Sequence, residues 1–232
     1  MQHHRRARVA GVVIIQAKSE SDVPMTVALS ALFAEVQTEL QDTGIRWVTA
    51  ELLAYYNEAL VVTVTERPDT NAVTSTFTPV AGAAQTLPAT ALGFIDIAAN
   101  ATGNRRNITK VDKYLLDSFE PAWQSGTQKA EIMHFTYDKL TPRKFYLYPP
   151  ATTAARIELV TGDYPALATA VTGNLSLQDW TAPAIKCYMK FKAWSKDAET
   201  AGNAALAKAH IDLYQSLLGI QLSASTSAVA AT

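Results

Sequence analysis

The hydrophobic period of this chain changes twice, and that double switch limits what it can fold into. From Val27 to Leu40 the residues Leu29, Leu32, Phe33, Val36 and Leu40 recur at helical spacing. Glu35, Gln37 and Glu39 fall outside their stripe, which makes an amphipathic helix. "DTG" at Asp42–Gly44 ends it, and a second helix is expected from Thr49, an N-cap candidate, with Glu51 favouring the dipole. The second helix presents Leu52, Leu53, Tyr56, Ala59, Leu60 and Thr63, and Pro68 limits its run.

From about Ala72 to Val160 the period is two, and Thr, Val, Ile, Phe and Tyr dominate between closely spaced turn residues. The expected strands are "VTSTFTPV", "AQTLP", "GFIDIAAN", "RNITKVDK", "EIMHFTYDKL", "KFYLYPP" and "ARIELVTG". "LTPR" at Leu140–Arg143 is a tight connection, so the strands either side of it should form an antiparallel hairpin. "YLLDSFEPAWQSG" reads as a short helical excursion stopped by Pro121. The helical pattern returns at about Thr181, with Pro183 in the first turn.

Helices on both flanks of a β region predict an α+β chain: a helical bundle formed by the N- and C-terminal helices with an inserted antiparallel β region. The expected division is 1–24 as an N-terminal extension or arm, 25–70 with 180–222 as a discontinuous helical domain, 71–179 as the β-rich insertion, and 223–232 as a flexible C-terminal tail. A chain of 232 residues is long enough for one substantial core.

Composition removes several function classes. With 20 Lys+Arg against 21 Asp+Glu the net charge is -1, so no broad attraction to nucleic acid or anionic lipid is written into the chain. Cys187 is the single cysteine, which excludes an internal disulfide and fits a reducing compartment. At the N-terminus His3, His4, Arg5, Arg6 and Arg8 precede the apolar run Val9–Ile15, an imitation of a signal peptide. The run is at the short end for a signal and far too short to span a bilayer. An extended arm, a short strand, or a segment upstream of a start at Met25 are the expected alternatives.

Chemistry is hard to place. There is no G-x-S-x-G elbow, no G-x-G-x-x-G and no P-loop, and outside His3 and His4 the histidines are His134 and His210, neither in a ligand motif. No catalytic, cofactor-binding or metal residue is assigned, and the chain is not expected to be an enzyme. A hydrolase site assembled in space from His134, Asp138 or Glu131 is the remaining catalytic option. Alternation puts Ile132, His134 and Thr136 on one strand face and Met133, Phe135 and Tyr137 on the other. Arg105 and Arg106 in "GNRRNITK" lie on a loop that either touches phosphate or is simply solvated.

The helix from about Pro183 to Glu199 is more informative. At about 100° per residue, Cys187, Tyr188, Phe191, Trp194 and Ala198 form one apolar arc, and Ile185 and Met189 a second patch. Lys186 and Lys190 hold a polar stripe. So broad an arc implies burial from more than one direction, by a three-helix bundle or by a neighbouring subunit. Tyr188 and Trp194 are aromatic interface candidates. His210 shares a face with Leu206, Leu213 and Leu217, as a core or interface histidine. Gly202 suits a left-handed C′ position and Asn203 an N-cap, which predicts a helical hairpin, with a kinked continuous helix as the competing geometry. The alanines at 198, 201, 204, 205, 207 and 209 permit close approach of helix axes.

The motifs occur in a characteristic order: "TAELLAYYNEAL", "ERPDT", "QTLPA", "RNITKVDKYLLDSFEPAWQ", "HFTYDKLTPRKFYLYPP", "RIELVTGDYP" and "DWTAPAIKCYMKFKAWSKDAETAGNAALAKAHIDLY". Together they resemble the tailed-bacteriophage head-to-tail adaptor (connector) protein family, from Met25 to about Ile220. The 24 residues before Met25 match no part of that pattern. The resemblance implies a structural virion protein: a ring, usually of twelve copies, docked under a portal protein and continuing the DNA channel toward a tail or nozzle protein. Double-stranded DNA would pass without specific binding, with no membrane and no cofactor involved. Such a protein sits at the head-to-tail interface of the virion, and in the host cytoplasm during assembly. The interface candidates on this reading are Tyr188, Trp194, His210, Arg105, Arg106, and the tail from Ser223 to Thr232. The alternative is another virion ring or tail-completion component, or a virion binding module whose β insertion recognises host glycan or a tail protein.

Overall fold

The computed structural model describes residues 26–42, 44–196 and 201–219. Helix α1 (Leu29–Glu39) buries Leu29, Leu32, Phe33 and Val36, the stripe its spacing predicts. It ends where Gln41 turns to a φ of 53° and Gly44 to 87°. Between them the Asp42 carboxylate accepts the backbone N–H groups of Gly44, Ile45, Arg46 and Trp47 at 3.0 to 3.2 Å. Those bonds lower its pKa, the Trp47 N–H contributing most. Helix α2 (Thr49–Glu66) follows. Thr49 is its first helical residue and not its cap: the N-cap is Val48, extended and without a side-chain bond.

Among the described residues seven strands follow: β1 (Ala72–Phe77), β2 (Gly82–Thr86), β3 (Ala91–Asn100), β4 (Thr109–Lys110), β5 (His134–Tyr137), β6 (Lys144–Ala151) and β7 (Ile157–Asp163). They make two sheets, ordered β1-β7-β3 and β2-β6-β5-β4. β5 and β6 form the antiparallel pair expected across Leu140–Arg143, with His134 opposite Tyr148 and Tyr137 opposite Phe145. Helix α3 (Lys113–Phe119) interrupts the strands, capped by the Asp112 carboxylate, which accepts from Tyr114 N at 2.7 Å. After β7 the chain returns to helix in α4 (Ala182–Lys196) and α5 (Ala201–Leu217).

The expected architecture, a bundle of terminal helices with an antiparallel insertion, is corrected. The chain is α+β, but helices are interspersed with strands: α3 lies between β4 and β5. β4 pairs with β5 in parallel, so the β part is not wholly antiparallel. The core shared by α1, α2, α4 and α5 is not purely helical either, since Leu175 and Leu177 from the connecting segment are buried in it and Leu92 of β3 packs against it. Period alone cannot reveal this, because it reports which residues want burial and not which element covers them.

Two pieces of local geometry also differ from expectation. Gly202 and Asn203 lie inside α5, and Gly202 is absent from the glycines at positive φ, which are 44, 82, 103, 173 and 219. Gly202 is therefore not a left-handed C′ residue. A continuous helix would still be wrong, because residues 26 apart would lie about 39 Å apart along it. Tyr188 of α4 and Tyr214 of α5 instead meet with ring centroids 5.2 Å apart. The two helices therefore lie folded back against each other.

Helix α4 occupies the centre of the helical core. Ile185, Met189 and Ala193 are fully buried and Cys187 and Tyr188 nearly so. Its lysines are cross-links rather than a solvated stripe. Lys186 pairs with Glu35 at 2.5 Å and Lys190 with Glu39, both on α1; Lys192 pairs with Glu58 at 3.0 Å and Lys196 with Glu51 at 2.8 Å, both on α2. Each is a modest contact singly, but together they fix how α4 lies across α1 and α2.

Candidate interaction surfaces

Helix α5 has two adjacent apolar seams. Ala207, Tyr214 and Leu218 are buried, and Ile211 packs on the same core. Tyr214 Oη and Thr63 Oγ1 are 3.1 Å apart across to α2. One position earlier on each turn, Leu206, His210, Leu213 and Leu217 repeat at intervals of four, three and four, the spacing of a coiled-coil seam. This second seam is uncovered: Leu206, Leu213 and Leu217 are 43%, 47% and 44% exposed. The charges beside it, Lys208 and Asp212, satisfy each other at 2.9 Å. His210 is half-buried and its pKa is lowered, first by burial and then by Lys190, against the pull of Glu39.

The aromatic candidates on α4 are placed differently. Tyr188 is buried inside the chain, its hydroxyl donating to Glu58 at 2.9 Å, and burial first, then Glu58, push its pKa up. Trp194 is half-buried and stands edge-on to Trp47 at 5.3 Å, while Trp47 Nε1 donates to the Ala193 carbonyl at 3.1 Å. The broad arc of α4 is thus largely consumed by α1, α2, α5 and the 44–48 turn.

Arg105 and Arg106 lie exposed on the turn after β3. Arg105, at a φ of 50°, pairs with Glu158, and Arg106 Nη1 stands 3.4 Å from Glu131 Oε1. The residues of the hydrolase option are engaged separately. His134 Nδ1 lies 2.6 Å from Thr109 Oγ1, Glu131 faces Arg106, and Asp138 accepts from Leu140 N at 2.9 Å. No hydrogen bond joins the three, and no cluster of three or more His, Cys, Asp or Glu fit for a metal occurs among the described residues. Among the described residues, no helix is long and apolar enough to cross a membrane. Ser223 and Thr232 lie outside the described residues.

A second exposed apolar surface went unread in the sequence. On α3, Tyr114 and Phe119 are 81% and 82% exposed with Leu115 beside them, while Leu116 alone turns inward to the small core of Trp123 and Ala83. The signal was present as four large apolar residues on a seven-residue segment that has room to bury one face. Asp117 holds the base of this knob, accepting from Lys113 at 2.7 Å and from Trp123 Nε1 at 2.8 Å.

The two exposed surfaces on α5 and α3 are therefore largely apolar. No curated protein matches the chain. Residues 27–232 match the family described as SU10 adaptor protein, and the chain belongs to that family of bacteriophage head-to-tail adaptors.

Proposed function

We propose that this adaptor forms a ring, of twelve copies, that docks beneath the portal protein and continues the DNA channel toward the tail. The observation that carries the reading is the family match over residues 27–232. The uncovered seam of α5 supports it, because a heptad-spaced apolar stripe is completed by another helix, and its paired, neutral flank has no charge to repel a second copy. The net charge of -1 supports it as well. A channel dense in unpaired cations would grip phosphate in a salt-dependent way and resist sliding. The tail from Ser223 to Thr232 is assigned to ordering against the portal, and double-stranded DNA to passage without specific binding. Electron microscopy of the protein mixed with its cognate portal tests this: a ring of added density below the portal is expected, and a bare portal with both proteins folded would refute it.

A second reading rests on Tyr114 and Phe119. Exposed aromatics are the residues that stack on sugars or anchor in a partner's pocket. Here the 71–179 segment would bind host glycan or a tail protein. Loss of such binding in Phe119→Ser with portal docking intact would assign that role to α3.

A further inference from the structure

The elements stack in layers, and the two open apolar surfaces belong to opposite ends of the stack. Phe145 and Leu147 of β6 share a core with Ile157 and Leu159 of β7, so the two sheets pack on each other through it. The alternate residues of β6, Tyr146 and Tyr148, turn the other way onto Trp123, in the small core that holds Leu116 of α3. On the far side of the β1-β7-β3 sheet, Pro68 lies over Gly93 and Gly162, and Leu92 of β3 packs against the helical core. The order is thus the helices α1, α2, α4 and α5, then sheet β1-β7-β3, then sheet β2-β6-β5-β4, then α3. Helix α5 belongs to the first layer and α3 to the last.

A seam that met its own copy across a two-fold axis would close as a dimer, with no surface left to continue a ring. Rotational assembly needs two different and complementary surfaces on every chain. Among the described residues, α3 is the one other α-helix whose large apolar side chains are exposed, through Tyr114, Leu115 and Phe119.

The two surfaces match in chemistry and size. The α5 seam sets Leu206, Leu213 and Leu217 around His210, and the exposed face of α3 sets its three apolar residues around Ser118, with no formal charge in either group. The seam runs about 17 Å from Leu206 to Leu217 and α3 is about 10 Å long, so one α3 covers most of it. Each surface also holds one polar tip. Among the described residues neither the His210 ring nor the Tyr114 hydroxyl makes a hydrogen bond within the chain, and a phenol and a neutral imidazole satisfy each other.

We propose that the open seam of α5 receives α3 of the neighbouring copy, Tyr114 and Phe119 lodging among Leu206, Leu213 and Leu217, so that the chains join head to tail. The inference rests on the ring reading and names the contact that builds the ring. Cross-linking on the portal tests it. Phe119→Cys, Leu213→Cys and the double variant are each mixed with the portal and treated with a short bismaleimide; Cys187 is buried, and the parent protein serves as the blank. The double variant should give a ladder of covalent multimers, and each single variant monomer alone. Phe119→Ser, a change at an exposed position, should keep its melting temperature and lose its rings on the portal. Rings of the double variant seen by electron microscopy without a ladder would overturn the contact and leave the ring standing. Dimers from Leu213→Cys alone would overturn it too, since α5 would then meet α5. Normal rings from Phe119→Ser would do the same and release α3 to another partner. A bare portal with the parent protein would refute the ring itself, and the contact with it.

Discussion

A Cβ built on Gly162 would stand 2.5 Å from Pro68 Cβ and 2.6 Å from the Pro68 carbonyl oxygen, so proline and glycine are pressed face to face. Gly93, paired with Gly162 across β3 and β7, meets the same ring, its Cβ position 2.6 Å from Pro68 Cγ. Pro68 opens the 3-10 turn that follows α2. Two adjacent glycines thus make a flat window on the sheet through which the end of α2 seats directly on the β strands.

Gly162→Ala should therefore destabilise the protein by about 1–3 kcal/mol, the usual cost of forcing volume into a closed site. Because the obstacle includes backbone atoms of Pro68, no side-chain rotation relieves it. Chemical denaturation checks this, and an unchanged midpoint would mean that the joint between α2 and the sheet is slack.

Leu213→Glu should separate folding from assembly. Leu213 is half exposed on the open seam of α5, so its replacement should leave stability within about 0.5 kcal/mol. Ring formation on the portal should be lost, since a carboxylate would be buried at the helix contact. Denaturation and electron microscopy of the same variant read the two effects; normal rings would remove this seam from the interface.

The pair of Glu39 and Lys190 sets an acid limit. The Glu39 pKa is lowered, first by its hydrogen bond with Lys190 and then, against burial, by the Lys190 and Lys186 charges. A depressed carboxylate contributes stability that is present above its unfolded pKa and lost as pH falls through the folded one. Stability should accordingly drop below about pH 5. Glu39→Gln should be less stable at neutral pH, because the nearly buried Lys190 loses its charge partner, and should show a shallower acid decline. Parallel acid limbs in denaturation curves from pH 3 to 7 would show that the pair contributes nothing.

Removing Ser223–Thr232 should weaken portal attachment while leaving the melting temperature in place. Co-sedimentation with the portal measures the first and calorimetry the second. Unchanged attachment would take the tail out of the proposed docking.

The sequence by itself determined the local elements. Leu29, Leu32, Phe33 and Val36 make α1 because their spacing puts them on one face, and "HFTY" against "KFYLYPP" makes the β5-β6 pair because strands joined by a tight turn must meet. The order of motifs was also enough to indicate the adaptor family. What only the tertiary structure decided is who covers whom. The broad arc of α4 invited a neighbouring subunit, yet α1, α2 and α5 cover most of it and the lysines between are tied to glutamates. The surplus instead lies on α5, where Leu206, Leu213 and Leu217 look like any core stripe in sequence and are left outside by the neighbouring seam, one residue on, that takes the core. Pro68 on Gly93 and Gly162 was equally hidden, for periodicity records the apolar preference of each position and says nothing of contacts between residues about 25 and 95 places apart.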